Sequence, residues 1–384
     1  MPRAALVQAH LSREEARGKI SVIIPSFKGS ERLVKLVKRM LSLPYPNREV
    51  IVVLDEPLPG VAEELRKLRG VTLIERGARA GKVSALNTAI KCSTGELVVF
   101  LDDDVAVEDD LFLHKIAERM RDSDVGDIKK VIVTSNLLSK MVYIEYTSYN
   151  FASMLMAKLA KRTVAINGAA FVIKRKALEE IGYFHPSLSE DFDIALRTFK
   201  KGHKFTFIGE TYVLNYPPES LAKWFKQRRR WAVGLASWLE ENSLDALKAM
   251  LKMPHIIIPA LICSLPSLVT TITAFALYNH SLEKTAYLMA LTLSTLINQA
   301  LPFASLLAIN LHLSYLATAG ALLASLLLFS TWHLLASRVV RAKSYLYLYP
   351  VYLFFYQLCW LTVLLAGFLR VLVLRKKTVD DWVV

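Results

Sequence analysis

The chain has 384 residues, 53% of them hydrophobic, with a formal charge of +14 and three cysteines. The length allows two domains, each with its own core, and the wide spacing of Cys92, Cys263 and Cys359 excludes a disulfide scaffold or a cysteine metal cluster. Hydrophobicity is unevenly placed: residues 254–384 hold eight of the 48 Lys/Arg and three of the 34 Asp/Glu, the composition of a membrane bundle behind a soluble domain. With a membrane half, the positive charge points to lipid headgroups and phosphorylated substrates and not to nucleic acid.

The opening MPRAALVQAHLSREEARGKI lacks the apolar core of a signal peptide and is too charged to span a bilayer. The first domain is therefore expected on the cytoplasmic side. From residue 19 strand and helix patterns alternate: KISVIIPS, SERLVKLVKRMLS, EVIVVLD, VAEELRKLR, VTLIE, GKVSALNTAIKC and ELVVFLD. Such alternation predicts a parallel sheet covered by helices, with ligands beyond the carboxyl ends of the strands.

Two strands end in acids at that edge, Asp55 on one and Asp102, Asp103 and Asp104 on the other. A helix cap or turn needs a single acid, whereas a hard divalent cation needs several carboxylate oxygens and commonly completes its shell with substrate phosphates. Asp102 and Asp104, two residues apart, would face one way and Asp103 another. Further along, YIEYTSYNFASMLMAKLAKR reads equally as an interfacial helix or as core, and in SLSEDFDIALR the acids Glu190 and Asp191 stand where a helix begins. Acids there complement a helix dipole or act on a substrate; Asp193 reads as a helix-surface charge.

ESLAKWFKQRRRWAVGLASWLEEN is basic, Trp-rich and amphipathic, the composition of a helix lying on an anionic membrane, with Trp224 and Trp238 as anchors. Apolar stretches follow at about 256–278, 285–309, 312–336 and 345–369, each near the ~20 residues that cross ~30 Å of hydrocarbon. Four spans return the tail RKKTVDDWVV to the cytoplasm but leave Arg338, Arg341 and Lys343 outside, against the positive-inside tendency; either that loop is an exception or one stretch is re-entrant or interfacial. Asn298, Gln299, His312 and His333 are polar groups in or near these stretches, with no role assigned.

The series VIIPSF, VVLD, GKVSALN, VVFLDDD, SEDFDIALR and QRRRW resembles the family 2 inverting glycosyltransferases of GT-A fold, in particular the membrane-embedded branch with cellulose and hyaluronan synthases. The resemblance covers roughly residues 19 to 240. It implies a GT-A domain over 1–218, an interfacial region with QRRRW over 219–253 and a transmembrane bundle over 254–384. It further implies Mn²⁺ or Mg²⁺ held by Asp102 and Asp104, and donor contacts from Asp55, Lys82, Asn87, Asp102 and Arg230. Asp191, with Glu190, would be the catalytic carboxylate, a general base toward the acceptor hydroxyl, and Gln227, Trp231 and Gly168 would meet the acceptor; Arg228 matches a QRxRW variant. Two departures bear on this: the Cys and Ser of the family's acceptor-side FCGS pattern are absent around Gly168, and Lys28 and Gly29 stand where Asn and Glu are frequent.

A general base suits transfer to a sugar hydroxyl better than to an already ionised phosphate. The sequence therefore predicts a multi-pass membrane enzyme that moves a hexose from UDP- or GDP-sugar, with a lean to GDP-mannose, onto a polyprenyl-linked saccharide. A processive polysaccharide synthase, a polyprenyl-phosphate hexosyltransferase and a non-catalytic transporter or scaffold are the alternatives.

Overall fold

The computed structural model describes residues 18–254, 288–289, 292 and 303–378. The expected alternation is present: strands β1 (Ile20–Phe27), β2 (Arg48–Asp55), β3 (Val71–Arg76) and β4 (Leu97–Leu101) are separated by helices α1 (Glu31–Ser42), α2 (Pro59–Arg66) and α3 (Lys82–Cys92). Local chemistry explains the boundaries. Ser30 caps α1 by accepting the Leu33 amide at 3.3 Å, and α1 buries Leu33, Leu36, Val37 and Met40 at helical spacing. β1 and β2 are near-continuous apolar runs, as strands covered on both faces must be.

Beyond β4 come β5 (Val105–Ala106), α4 (Phe112–Arg119), β6 (Val125–Ile132), α5 (Leu137–Leu155), β7 (Ala170–Lys174), α6 (Arg175–Glu180), α7 (Glu190–Lys201) and β8 (Phe205–Asn215). The eight strands form one sheet in the order β3-β2-β1-β4-β7-β6-β8-β5. Neighbours are parallel from β3 to β4 and between β6 and β8, while β7 and β5 join antiparallel. The chain runs outward from β1 to β3 and then returns to place β4 on the other side of β1. That reversal opens the crevice in which α/β folds hold ligands, and Phe27, Asp55 and Asp102 stand at it.

α5 settles the choice between interfacial and core helix in favour of core. Thirteen of its nineteen residues are buried, because one face packs on the sheet side and the other is covered by α8 (Leu221–Lys252), α9 (Phe303–Val339) and the helical segment Leu346–Val373, here α10. Trp224 and Trp238, expected as membrane anchors, are buried instead: Trp224 Nε1 donates to Tyr356 Oη at 3.0 Å, and Trp238 packs on Phe192 with ring centroids 5.7 Å apart.

Four spans were expected. The first two, 256–278 and 285–309, lie wholly or largely outside the described residues, as do Asn298 and Gln299. Where a break between the second and third was expected, α9 is continuous from Phe303 to Val339. Among the described residues two helices are long and apolar enough to cross a membrane, Ala319–Val339 and Leu346–Val373. His333 sits at a helix junction and not in lipid: its Nε2 meets the Ile144 carbonyl at 3.1 Å, and its Nδ1 meets Tyr349 Oη at 2.6 Å. The carbonyl can only accept, so Nε2 carries the proton and Nδ1 accepts from the tyrosine.

Candidate active site

Three strand ends and two helix starts build the site. β4 delivers Asp102, whose amide donates to the Ala169 carbonyl at 3.0 Å and so continues the β4–β7 ladder by one step. Gly168 lies one residue further out, and its amide donates to Asp191 Oδ2 at 3.0 Å. A Cβ on Gly168 would stand 3.0 Å from that oxygen, so the absent side chain is what lets the carboxylate approach. Asp191 also accepts the Phe192 amide at 2.9 Å, in the first turn of α7.

Lys82 ties the two acidic stations together. From the first turn of α3 its ammonium reaches Asp102 at 2.7 Å and Glu190 at 2.9 Å. It is not a solvated surface lysine. Burial opposes its charge, but the two carboxylates outweigh burial and hold its pKa above the ordinary lysine value.

The remaining acids of the cluster lie in the turn that follows β4. Asp103 turns to Ser26 at the end of β1, whose hydroxyl donates to it; burial and the neighbouring Asp102 charge raise its pKa to about 6. Asp104 is pushed to about 7 by burial and by the charges of Asp102 and Asp103. Its Oδ1 is buried without a hydrogen-bond partner among the described residues. An orphaned carboxylate oxygen beside a second carboxylate is what a cation would satisfy, so the residues fit the expected Mn²⁺ or Mg²⁺. Among the described residues no three His, Cys, Asp or Glu side chains form a cage; a cation here would need oxygens from a bound diphosphate. Asp191 is likewise raised to about 7, by burial and the Glu190 charge against the pull of Lys82.

Other expected contacts fall elsewhere. Asp55 is buried at the crevice, but its oxygens are engaged by Arg76 Nε at 2.5 Å and the Ala80 amide at 3.0 Å. Asn87 spends both halves of its amide on the backbone of Phe184, at 2.8 and 3.1 Å. It thereby fixes the loop leading to Glu190 and does not join the Lys82 cluster. Phe27, 39% exposed, carries the Arg79 guanidinium over its ring at 4.1 Å, a flat face at the mouth of the crevice.

The QRRRW segment lies on α8, which approaches the site closely at Gly234: a Cβ there would be 2.6 Å from Ser189 Oγ, just before Glu190. Gln227, Arg230 and Trp231 are partly exposed. Arg228 is fully buried, forming a bidentate pair with Glu145 of α5 and stacking its guanidinium 4.2 Å over Trp231. Sequence reasoning missed Glu145, Ser26 and Arg76. Glu145 had a signal, since a lone acid inside the aromatic run YIEYTSYNF calls for a cation.

An α/β sheet presenting acids beyond β2 and β4, with a carboxylate at a helix start nearby, forms an acid-lined crevice that suits a cation and a phosphorylated ligand. The chain belongs to the family described as glycosyltransferase like family 2, whose profile matches residues 16–234, more than half its length. A poly-beta-1,6-N-acetyl-D-glucosamine synthase of Staphylococcus epidermidis is 27% identical over 222 residues, 56% of this chain and 54% of that protein. The Staphylococcus aureus (strain COL) protein of the same name is 25% identical over the same length. The chain thus spans about half the length of the curated relatives it matches. Among solved structures, the mannosyltransferase PcManGT of Pyrobaculum calidifontis, in complex with GDP-Man and Mn²⁺, aligns with a TM-score of 0.48 at 20% identity, covering 77% of this chain and 98% of that one. TarS 1–349 of S. aureus in complex with UDP aligns at 0.42 and 20% identity, covering 56% of this chain and 65% of that one.

Proposed function

We propose that this family 2 glycosyltransferase is an inverting, membrane-embedded enzyme that transfers a hexose from a nucleotide sugar to a hydroxyl of a polyprenyl-linked saccharide, with its catalytic domain facing the cytoplasm. The observation that carries the reading is the joining of Asp102 and Glu190 through Lys82, which sets donor-side acids and the Asp191 station at one strand edge. Asp191, held by the Gly168 and Phe192 amides, takes the proton of the acceptor hydroxyl. The freed oxygen bonds to the anomeric carbon opposite the leaving diphosphate, and the sugar inverts. A pKa of about 7 matches a base working near neutrality. Asp102 and Asp104 would hold the divalent cation, which when bound neutralises charge on the departing phosphates. Lys82 adds fixed positive charge in the same place. Arg230 and Trp231 lie on the α8 helix, where a guanidinium and an indole suit phosphate and sugar ring.

A second reading, a processive polysaccharide synthase, is favoured by the names of the curated relatives. One experiment separates them. The purified full chain, and its Asp191→Asn variant, is given Mn²⁺, a polyprenyl-linked saccharide extract and in turn GDP-mannose, UDP-glucose and UDP-N-acetylglucosamine. Nucleotide release with label in an extractable lipid, lost in the variant, supports the first reading. Insoluble polymer from sugar nucleotide alone supports the second, and no nucleotide release from any of the donors overturns both.

A further inference from the structure

We infer that α10, although long and apolar enough to cross a bilayer, does not cross it: it lies along the membrane face of the catalytic domain and rests its outer side on anionic lipid. α10 runs parallel to α8. Near its start Tyr356 meets Trp224; further on Gly367 is so close to Ala232 that a Cβ would be 2.6 Å from the Ala232 Cβ. Just past its end Arg375 pairs with Glu240 at 2.5 Å, and Lys377 bridges Glu240 and Glu241 at 2.9 and 3.1 Å. α8 itself cannot enter hydrocarbon. It carries Arg228, Arg229, Arg230, Glu240, Glu241 and Asp245, and it is fastened to α7 of the catalytic domain by Phe192 on Trp238 and by Lys200 to Asp245 at 2.7 Å. A helix that keeps step with α8 from Trp224 to Glu240, ~24 Å at 1.5 Å per residue, is confined to the same side.

The entry to α10 is tied to that side as well. Lys129 of β6 donates to the Val340 carbonyl at 2.7 Å, the Lys343 amide donates to Tyr143 Oη at 2.8 Å, and Tyr345 packs edge-on against Tyr143. The start of α10 is therefore tied to the catalytic domain, and its end to α8, which is itself fastened to that domain. This removes the conflict raised by Arg338, Arg341 and Lys343: all three are exposed on the catalytic side, where positive charge is favoured.

The occupant of the free side follows from its chemistry. Tyr347, Val351, Phe355, Leu365, Leu369 and Val373 are exposed, while Tyr349, Tyr352, Tyr356, Trp360 and Leu364 are buried, so α10 has an open apolar side and a covered one. The open side carries exposed basic residues at both ends, Arg341 and Lys343 at one, Arg375 and Lys376 at the other. An apolar strip between basic ends fits the acyl–headgroup boundary of an anionic leaflet.

The test uses the full chain with its three cysteines replaced by Ser, single cysteines restored as Lys343→Cys or Thr378→Cys, and a form retaining only the exposed Cys92 of α3 to mark the catalytic side. In sealed vesicles of known orientation, a membrane-impermeant maleimide is expected to label all three from the same side. Labelling of positions 343 and 378 from opposite sides would overturn the inference. Independently, spin labels at Phe355→Cys and Leu369→Cys, read with oxygen and a water-soluble nickel collider, are expected at equal shallow depth, more strongly so with phosphatidylglycerol than with phosphatidylcholine alone. A depth gradient through the bilayer centre, or labels shielded from both colliders by a second copy of the chain, would also overturn it.

Discussion

Asp191 and Asp104 have the same raised pKa, about 7, for related reasons and with opposite uses. As the proposed base, Asp191 must be ionised to accept a proton, so kcat/KM is expected to climb about tenfold per pH unit below 7 and to level above it; Asp191→Asn is expected to lose about 10²-fold or more and the profile with it. For Asp104 the consequence is stability. The folded state favours its protonated form over the unfolded chain, whose carboxyl has the ordinary value, so stability is lost as pH rises from about 4 through 7. Asp104→Asn removes that loss: its Tm is expected to exceed the parent's by several degrees at pH 8 and to match it at pH 4, while transfer is abolished. An equal Tm at both pH values would show that Asp104 is not strained by its neighbours. These acids were legible as residues because strand ends and helix starts are local patterns. The partners that decide their state, Ser26, Lys82 and the Gly168 amide, come from distant positions, and no spacing rule connects residue 26 to 103 or 168 to 191.

At the scale of the helix, α5 shows how composition misleads. Its mix of aromatic and polar residues suits a membrane surface, yet the polar groups face inward: Asn150 bonds the β6 backbone at Lys130, and Glu145 binds Arg228 with neither side chain exposed. A buried pair costs desolvation on both sides, so breaking it from one side is worse than never having it. Glu145→Ala is therefore expected to destabilise the chain by about 3–5 kcal/mol, and Glu145→Met with Arg228→Leu to recover most of that loss in thermal denaturation. A double variant as unstable as the single one would mean that the pair attracts by more than its desolvation. Trp224 and Trp238 were misread for the same reason. An indole on a basic helix marks a membrane anchor only when no second helix arrives to cover it.

For the whole molecule, the division between a charged first part and an apolar second part was legible from composition, but the number of crossings was not. Hydropathy measures how apolar a helix is and not whether its neighbour is lipid or another helix. α10 packs on α8 along one side and is open and apolar on the other, so it is as long and apolar as a span while, on the inference above, it follows the catalytic domain. The contact that makes this possible is Gly367, where a side chain would come within 2.6 Å of the Ala232 Cβ and 2.9 Å of its carbonyl carbon, atoms that cannot rotate away. Gly367→Leu must therefore push α10 off α8, an overpacking cost of about 1–3 kcal/mol. Since α8 carries Gln227, Arg230 and Trp231 and approaches Ser189 at Gly234, the shift should reach the acceptor side of the site and spare the crevice at β1, β2 and β4. The expected outcome is a raised KM for the proposed polyprenyl-linked acceptor with nucleotide affinity unchanged, measured by steady-state transfer and by titration with the nucleoside diphosphate. Equal loss of both would mean that α8 supports the whole sheet edge; no loss of either would mean that the close packing of α8 on α10 has no part in holding the acceptor.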